Sequence, residues 1–261
     1  MDMLFVGNHW LLVLTVTLPR FLAIFMMLPF FRREFISTTA RNGIAIILSV
    51  VILPVVSKQL SVVEFDGLLF ILMIAKEAVI GVLIGYTAGI IFWAVASMGE
   101  MIDLQRGAMS AQMFAPIIGG QTSPLGSFLA QTVAVILFST GGFIALLAAI
   151  YQTYVIWPVT SYYPQFNIET AIIFLQQFDQ ILAVALLMAA PIIVIIFLAE
   201  FALGLMGRFV PTVNIFLLAM PIKSVLVFFV LGLYLGTILV FLKGRILSQE
   251  YLPDILMKIL L

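Results

Sequence analysis

Lys76 and Glu77 are adjacent charged residues inside a long apolar stretch. On membrane-insertion scales, a charge at the bilayer centre costs at least about 2.5–3.5 kcal/mol. The two side chains must therefore be ion-paired, lie near an interface or face a polar interior. Glu77 lies one helical turn before Gly81, so one interpretation directs its carboxylate toward a neighbouring helix. The other is an interfacial helix start from which both side chains reach water.

Asp103 and Arg106 form a second charged grouping, near the predicted end of a helix. Their three-residue spacing allows an ion pair on one helical face. Gly107 follows them, and glycine commonly ends helices. Such charges can pair, and a carboxylate can also pass a proton in a relay.

A third grouping spreads charges and helix breakers over residues 200–224. Its two prolines are expected to break the helix, and an asparagine can satisfy backbone groups freed at the break. The first two charges are eight residues apart, too far for a pair within one turn, so each is expected to find a partner elsewhere. The alternative is a short polar hairpin between two spans, with its arginine on the cytoplasmic side. In chain order the residues are Glu200, Arg208, Pro211, Asn214, Pro221 and Lys223.

Residues 108–120 are apolar but unsuited to regular helix. Methionine and phenylalanine provide flexible apolar bulk, whereas proline and glycine interrupt helical structure. A segment with both properties is expected to be buried in protein or to line a cavity. The alternative is an ordinary extramembrane loop. The residues concerned are Met109, Met113, Phe114, Pro116, Gly119 and Gly120.

The remaining composition excludes several classes of function. The chain has no cysteine and a single histidine, His9, so neither a metal site nor a histidine-based triad is expected. It contains no phosphate-binding loop and no nucleophile elbow. The formal net charge is zero, with no basic stripe to attract nucleic acid. We therefore predict a non-enzymatic protein without a cofactor.

The elements that position these groups are helices in an all-α, polytopic membrane-type protein. Hydrophobic residues make up 64% of the 261-residue chain and charged residues 9%, against roughly a quarter charged in soluble domains. Only helices or closed barrels satisfy backbone groups in lipid, and no strand-like alternation is visible. Apolar stretches are predicted at 10–31, 43–56, 68–98, 125–150, 181–206 and 215–242.

Basic residues in the connectors predict a topology with one internal conflict. Arg32, Arg33 and Arg41 place the first connector in the cytoplasm. Six crossings would then leave the C-terminal tail outside, although the tail is basic. Either one stretch does not cross, or the ordinary topology rule does not apply to the assembled protein. The basic residues of the tail are Lys243, Arg245 and Lys258.

Gly81, Gly85 and Gly89 recur every four residues and form one stripe along a helix. Small residues at this spacing let a second helix backbone approach closely. The alternative is that glycine is simply common in membrane helices. We predict close helix packing along this stripe.

Three motifs resemble the T subunit of the type III secretion export apparatus, the SctT family, which is related to flagellar FliR. They are the Asp-Leu-Gln-Arg-Gly motif at 103–107, the Gln-Thr-Ser-Pro motif at 121–124 and the ordered charges, prolines and asparagine of 200–224. Pro19-Arg20 and Lys76-Glu77 also fit. The resemblance covers essentially the whole chain and is closer to the virulence branch than to the flagellar branch.

The resemblance implies a structural subunit with broken helices and helical hairpins in a helical hetero-oligomeric export gate. Its partners would be the R and S subunits (SctR, SctS), together with U and V subunits, membrane lipid and exported unfolded proteins. Residues 1–190 would be R-like and 191–261 an S-like hairpin and tail. Residues 108–120 would form a plug that helps close the resting channel. The protein would lie in the bacterial inner membrane, displaced toward the periplasm.

Two rival functions are compatible with the residues. Broken helices with intramembrane charges are also typical of secondary transporters for small solutes. The absence of a visible inverted repeat between the halves weighs against a transporter. The second rival is a membrane scaffold without a conducting role.

Overall fold

The computed structural model describes residues 2–33, 35–60, 67–108, 123–161, 168–209 and 215–247. Within these ranges, every regular element is helical, as the apolar composition predicts. A single 3₁₀ turn, Pro29–Phe31, follows the first helix. The α-helices are α1 Asp2–Met27, α2 Thr38–Leu60, α3 Gly67–Arg106, α4 Pro124–Ser139, α5 Gly142–Ile156, α6 Ile168–Phe209 and α7 Ile215–Leu247.

Five of the described helices are long and apolar enough to cross a membrane: α1, α2, α3, α6 and α7. The predicted stretch 125–150 is not straight, because α4 and α5 meet at a bend of 78°. The bend lies at Gly141, whose φ of 77° is in the left-handed region that glycine adopts without a steric penalty. This pair adds a sixth span only if it is counted as one broken crossing.

Two helices are much longer than a bilayer requires. The 40 residues of α3 and the 42 residues of α6 correspond to lengths of about 60 Å, twice the roughly 30 Å hydrocarbon core. For α6, the predicted apolar stretch began at residue 181, whereas the helix begins at Ile168. The added residues contain no proline or glycine, so they continue the helix although they are more polar.

Pro221 corrects one sequence-based expectation. It was expected to break the helix, but it lies inside α7, which begins six residues earlier at Ile215. Proline also lies inside α6, at Pro191. Membrane helices tolerate internal proline because neighbouring helices and polar side chains can satisfy the freed backbone groups.

The chain divides into two compact units. Unit 1 contains the described parts of Met1–Ile90 and Phe138–Gln177, and unit 2 those of Ile91–Leu137 and Phe178–Leu247. In unit 1, the core includes completely buried aromatic and aliphatic side chains from α1, from the residue that follows it and from α5: Phe21, Ile24, Phe25, Leu28 and Tyr154.

The glycine stripe brings α3 against α1 in unit 1. A Cβ atom added at Gly81 would collide with the carbonyl oxygen of Arg20 and lie 2.7 Å from the Cβ of Ala23. A Cβ at Gly85 would lie 2.7 Å from the Cβ of Met27. Gly89, the third member, is buried. Only glycine at positions 81 and 85 therefore allows the backbones of α1 and α3 to pack this closely.

Candidate functional site

Unit 1 contains a buried charged triad of Arg20, Lys76 and Glu77. The Nε of Arg20 on α1 donates to Oε2 of Glu77 on α3 at 2.6 Å, and both side chains are completely buried. Lys76 Nζ lies 3.1 Å from the other carboxylate oxygen, Oε1, which has ion-pair contact there without hydrogen-bond geometry. One carboxylate therefore neutralises two cations, and the triad has a formal charge of +1.

Arg20 also joins the triad to α5 and the residues that follow it. Its Nη1 donates to the hydroxyl of Thr153 at 3.0 Å, and Nη2 donates to the carbonyl of Trp157 at 3.4 Å. The guanidinium carbon lies 3.9 Å from the ring centroid of Tyr154, a cation–π contact. Arg20 was not among the predicted site residues, although the sequence contained a signal, because it is the one charged side chain within the apolar stretch 10–31.

The Lys76 ammonium is held by backbone oxygens beyond the end of α5. It donates to the carbonyls of Val159 at 2.6 Å, Ser161 at 2.8 Å and Pro158 at 3.3 Å. An ammonium has three donors, so these three carbonyls use all of them, and Glu77 adds only its charge. The triad therefore cross-links α1, α3 and the chain after α5.

Unit 2 contains a second buried arrangement, which we call the loop-base cluster: Asp103, Arg106, Ser123 and the backbone N–H of Leu125. Oδ1 of Asp103 accepts from Nε of Arg106 at 2.7 Å, the ion pair that their spacing allows. Oδ2 accepts from the Ser123 hydroxyl at 2.6 Å and from the Leu125 N–H at 2.9 Å. The Asp103 side chain is completely buried, and three donors surround its charge.

The loop-base cluster ties together the two ends of one chain segment. Helix α3 ends at Arg106, and Gly107 follows with a φ of 84°, as expected for a glycine that ends a helix. Ser123 caps α4, because its hydroxyl accepts the N–H of Gly126 at 2.8 Å. Asp103 therefore binds the chain on both sides of residues 109–122.

Two glycines allow this junction. A Cβ atom built on Gly99 of α3 would lie 2.5 Å from the Cα of Gly126 on α4. A Cβ on Gly126 would lie 2.9 Å from the carbonyl oxygen of Ala96. The two helix backbones are thus in direct contact one turn before Asp103, and this contact brings the Ser123 hydroxyl and the Leu125 N–H within reach of its carboxylate.

The predicted plug residues and the predicted asparagine at the helix break lie outside the described residues. The predictions for them therefore stay predictions. They are Met109, Met113, Phe114, Pro116, Gly119, Gly120 and Asn214.

A third charged arrangement, a single ion pair, joins α6 and α7 in unit 2. Lys223 Nζ lies 2.9 Å from Oε2 of Glu200. The lysine side chain is 10% exposed, whereas the glutamate side chain is 58% exposed. Arg208, in the last turn of α6, is exposed in the single chain. Glu200 therefore has a partner on the next helix that residue spacing within α6 could not identify.

The charged groups of these three arrangements pair with one another. In the described part of the chain, no group of three or more histidine, cysteine or acidic side chains could hold a metal ion. The buried charges are engaged with each other and with backbone groups, which suits them to hold helices together. The arrangement supports a structural role.

Comparison with known proteins assigns a family. Residues 11–248 match the model of the family described as bacterial export proteins, family 1. The Yop proteins translocation protein T of Yersinia pestis is 43% identical over 225 residues, which cover 86% of each chain. The secretion system apparatus protein SsaT of Salmonella typhimurium is 30% identical, covering 84% of this chain and 85% of that protein.

A flagellar protein is also related. The flagellar biosynthetic protein FliR of Bacillus subtilis is 29% identical over 226 residues, 86% of each chain. Identity to the Yersinia translocation protein is thus clearly higher than to this flagellar protein. The family match, the secretion relatives and the apolar helices agree with the resemblance found in the motifs, and the chain belongs to the bacterial export proteins, family 1, as a T subunit of a type III export apparatus.

Proposed function

We propose that this chain is a non-enzymatic structural subunit of the type III export gate, which assembles with R and S subunits in the bacterial inner membrane and helps to close the channel. The observation that supports this role best is the loop-base cluster. A fully buried carboxylate binds the chain at both ends of residues 109–122, the segment predicted to form most of the plug.

The energetics of the loop-base cluster suit a plug that must return to one position. Removing one partner of a buried ion pair typically costs about 3–5 kcal/mol, so the base of the segment resists opening. A loop whose ends are held together also loses less entropy when it is ordered than a free segment does. The base would stay in place while the intervening residues move aside for an exported unfolded protein.

The partners are inferred from family membership and from the surface of the single chain. Residues 1–190 would be R-like and residues 191–261 an S-like hairpin and tail. Many large apolar side chains of α6 and α7 are exposed in the single chain, and they need lipid or neighbouring subunits to cover them. U and V subunits would bind the same gate, and the assembly would lie displaced toward the periplasm. Exposed examples are Phe197, Phe201, Val225, Phe229 and Val240.

An uptake function for a small solute has less support. The names of the related proteins describe translocation, secretion and flagellar biosynthesis. In the two buried arrangements, every charge has an oppositely charged partner within the chain, whereas a transporter needs polar groups that remain free for its solute. We therefore favour an export role over a solute transporter.

Replacement of residues 108–120 by a Gly/Ser linker of equal length tests the proposal. The gate should assemble normally, because the linker leaves Asp103, Arg106 and Ser123 in place. Ion conductance of the assembled complex in planar bilayers should rise, because the apolar bulk that closes the channel is gone. Replacement of the connector 61–66 by a Gly/Ser linker of its own length is the matched control and should leave conductance unchanged. Unaltered conductance of a fully assembled 108–120 variant would contradict a plug role.

A further inference from the structure

A groove of about 460 Å³ lies in unit 2, among the C-terminal end of α3, the last third of α6 and the start of α7. This volume is within the roughly 300–1,000 Å³ typical of small-ligand sites. Three apolar helices therefore each contribute a charged side chain to one groove. Its lining includes Leu104, Arg106, Glu200, Leu203, Ile215 and Lys223.

The groove presents two cations and one accessible anion. Arg106 is 8% exposed, and within the described residues its hydrogen bonding uses Nε alone, so its two terminal nitrogens have donors to spare. Lys223 is also 8% exposed and has three N–H donors, of which Glu200 can accept one. Glu200, the anion, also lines the groove, and its side chain is largely exposed whereas that of Lys223 is covered.

This charge pattern distinguishes between ligands. Two buried donors suit a phosphate, since Arg and Lys are the usual partners of phosphate oxygens. An anionic ligand without a positive group would be repelled by Glu200. A ligand with a phosphate and a nearby ammonium would satisfy all three residues, because its ammonium could donate to the free oxygen of Glu200.

Apolar side chains next to the groove are suited to acyl chains. Leu104 lines the groove and is 59% exposed. Phe201 and Leu205 on α6 and Leu218 on α7 are next to lining residues in sequence, and all three are exposed. Pockets between transmembrane helices that contain basic side chains bind lipid headgroups. This groove has such side chains and an exposed apolar residue at its lining.

We propose that this groove binds the headgroup of a zwitterionic phospholipid of the phosphatidylethanolamine class. The phosphate lies against Arg106 and Lys223, the ammonium against Glu200, and the acyl chains along the adjoining apolar surface. Binding would hold the ends of α3, α6 and α7 together within unit 2. The inference rests on the groove alone and stands whether or not the chain plugs an export channel.

The test uses the full-length chain, extracted from vesicles that contain equal amounts of phosphatidylethanolamine and phosphatidylglycerol. Lipids that remain bound are counted by native mass spectrometry. The wild type should retain phosphatidylethanolamine preferentially. Glu200→Gln should shift the retained ratio toward phosphatidylglycerol by about fivefold, the upper range for one partly exposed charge pair. Glu100→Gln, which removes an exposed carboxylate outside the groove lining, is the matched control and should leave the ratio unchanged.

A second measurement needs no variant, in case Glu200→Gln loosens the α6–α7 hairpin. Phosphatidylcholine has the same phosphate but no N–H donors, so the wild-type chain should retain phosphatidylethanolamine over phosphatidylcholine. Retention of no lipid, or equal retention of all three classes, would overturn the proposal. Soluble glycerophosphoethanolamine should displace the lipid only weakly, because it lacks the acyl chains; binding of this soluble headgroup as tight as that of the intact lipid would overturn the assignment to a membrane lipid.

Discussion

The charged triad and the loop-base cluster both bury a carboxylate completely, but the two carboxylates have different partners. Glu77 lies between two cations, one on α1 and one beside it on α3. Asp103 has one cation, Arg106, and fills its remaining capacity with the Ser123 hydroxyl and the Leu125 N–H. The triad is therefore electrostatic and holds packed helices together, whereas the loop-base cluster is largely a capping arrangement that shapes the chain around a loop.

The charged triad and the loop-base cluster should therefore tolerate different substitutions. Removing the triad carboxylate leaves two buried cations without a counter-charge, and no nearby acid replaces it within the described residues. Replacing Asp103 by asparagine keeps one acceptor oxygen, so only part of its hydrogen bonding is lost. We therefore expect the triad to govern folding of the chain and the loop-base cluster to govern the local structure near the predicted plug.

The largest effect is expected for Glu77→Ala. The substitution removes the carboxylate between Arg20 and Lys76 and leaves two buried cations facing each other. Loss of a buried partner costs about 3–5 kcal/mol. The chain should fail to accumulate in membranes, or it should show a much lower Tm in detergent. Glu100→Ala, at an exposed position on the same helix, is the control and should behave as wild type. A Glu77→Ala chain of normal Tm would show that the triad does not hold unit 1 together.

Asp103→Asn should have a smaller and more local effect. The variant loses the charge-assisted bond to Arg106 but keeps the shape and one acceptor oxygen, so we expect a loss of about 1.5–3 kcal/mol. In the assembled gate, conductance should increase at unchanged subunit composition. Asp103→Glu is not a rescue, because the longer side chain displaces the carboxylate from the α4 N-terminus. A variant with normal conductance would separate the loop-base cluster from channel closure.

Glycine substitutions compare the helix contacts that support the two regions. Gly81→Ala places a methyl group against the α1 backbone beside Arg20, and Gly99→Ala places one against the α4 backbone at Gly126. Each should cost about 1–3 kcal/mol from overpacking. Gly232→Ala, where an added Cβ meets nothing within 4 Å, should be neutral or stabilise α7 by about 0.5–1 kcal/mol. The Tm of the three variants, measured in one detergent, orders the contacts; equal values would disprove the close approach.

The smallest effect on the isolated chain is expected for Arg208→Ala. The side chain is exposed, and exposed substitutions usually change stability by less than about 0.5 kcal/mol. We nevertheless expect assembly with the other gate subunits and secretion to decline together, because a charge at the end of α6 is available to pair with a neighbour. Arg208→Lys, which keeps the charge, is the control. Normal assembly of Arg208→Ala on a native gel would contradict the interface role.

Most of the fold could be predicted from the sequence, and the exceptions have physical causes. Apolar composition indicates membrane helices because lipid leaves the backbone no external hydrogen-bond partner. The bend between α4 and α5 was missed, since a glycine in an apolar run signals either packing or a bend. The start of α6 was missed because its first residues are polar, and hydropathy does not register a helix that extends beyond the apolar layer.

The candidate site could be predicted only where its partners are close in sequence. Asp103 and Arg106 lie one turn apart, so helix geometry alone brings them together. The partner of Glu200 is 23 residues away on another helix, and the partner of Glu77 is 57 residues away. Residue spacing within one helix cannot predict partners that are so far apart in sequence and lie on different helices.

By itself, the sequence determined that this is a helical membrane protein, that its internal charges require shelter, and which family it resembles. The tertiary structure alone decided which charges shelter each other. Local periodicity sets which residues share a helix face, whereas long-range ion pairs depend on how closely helices approach. In this chain that approach is set by contacts such as Gly81 against α1 and Gly99 against Gly126, where the absence of a side chain lets one backbone reach another.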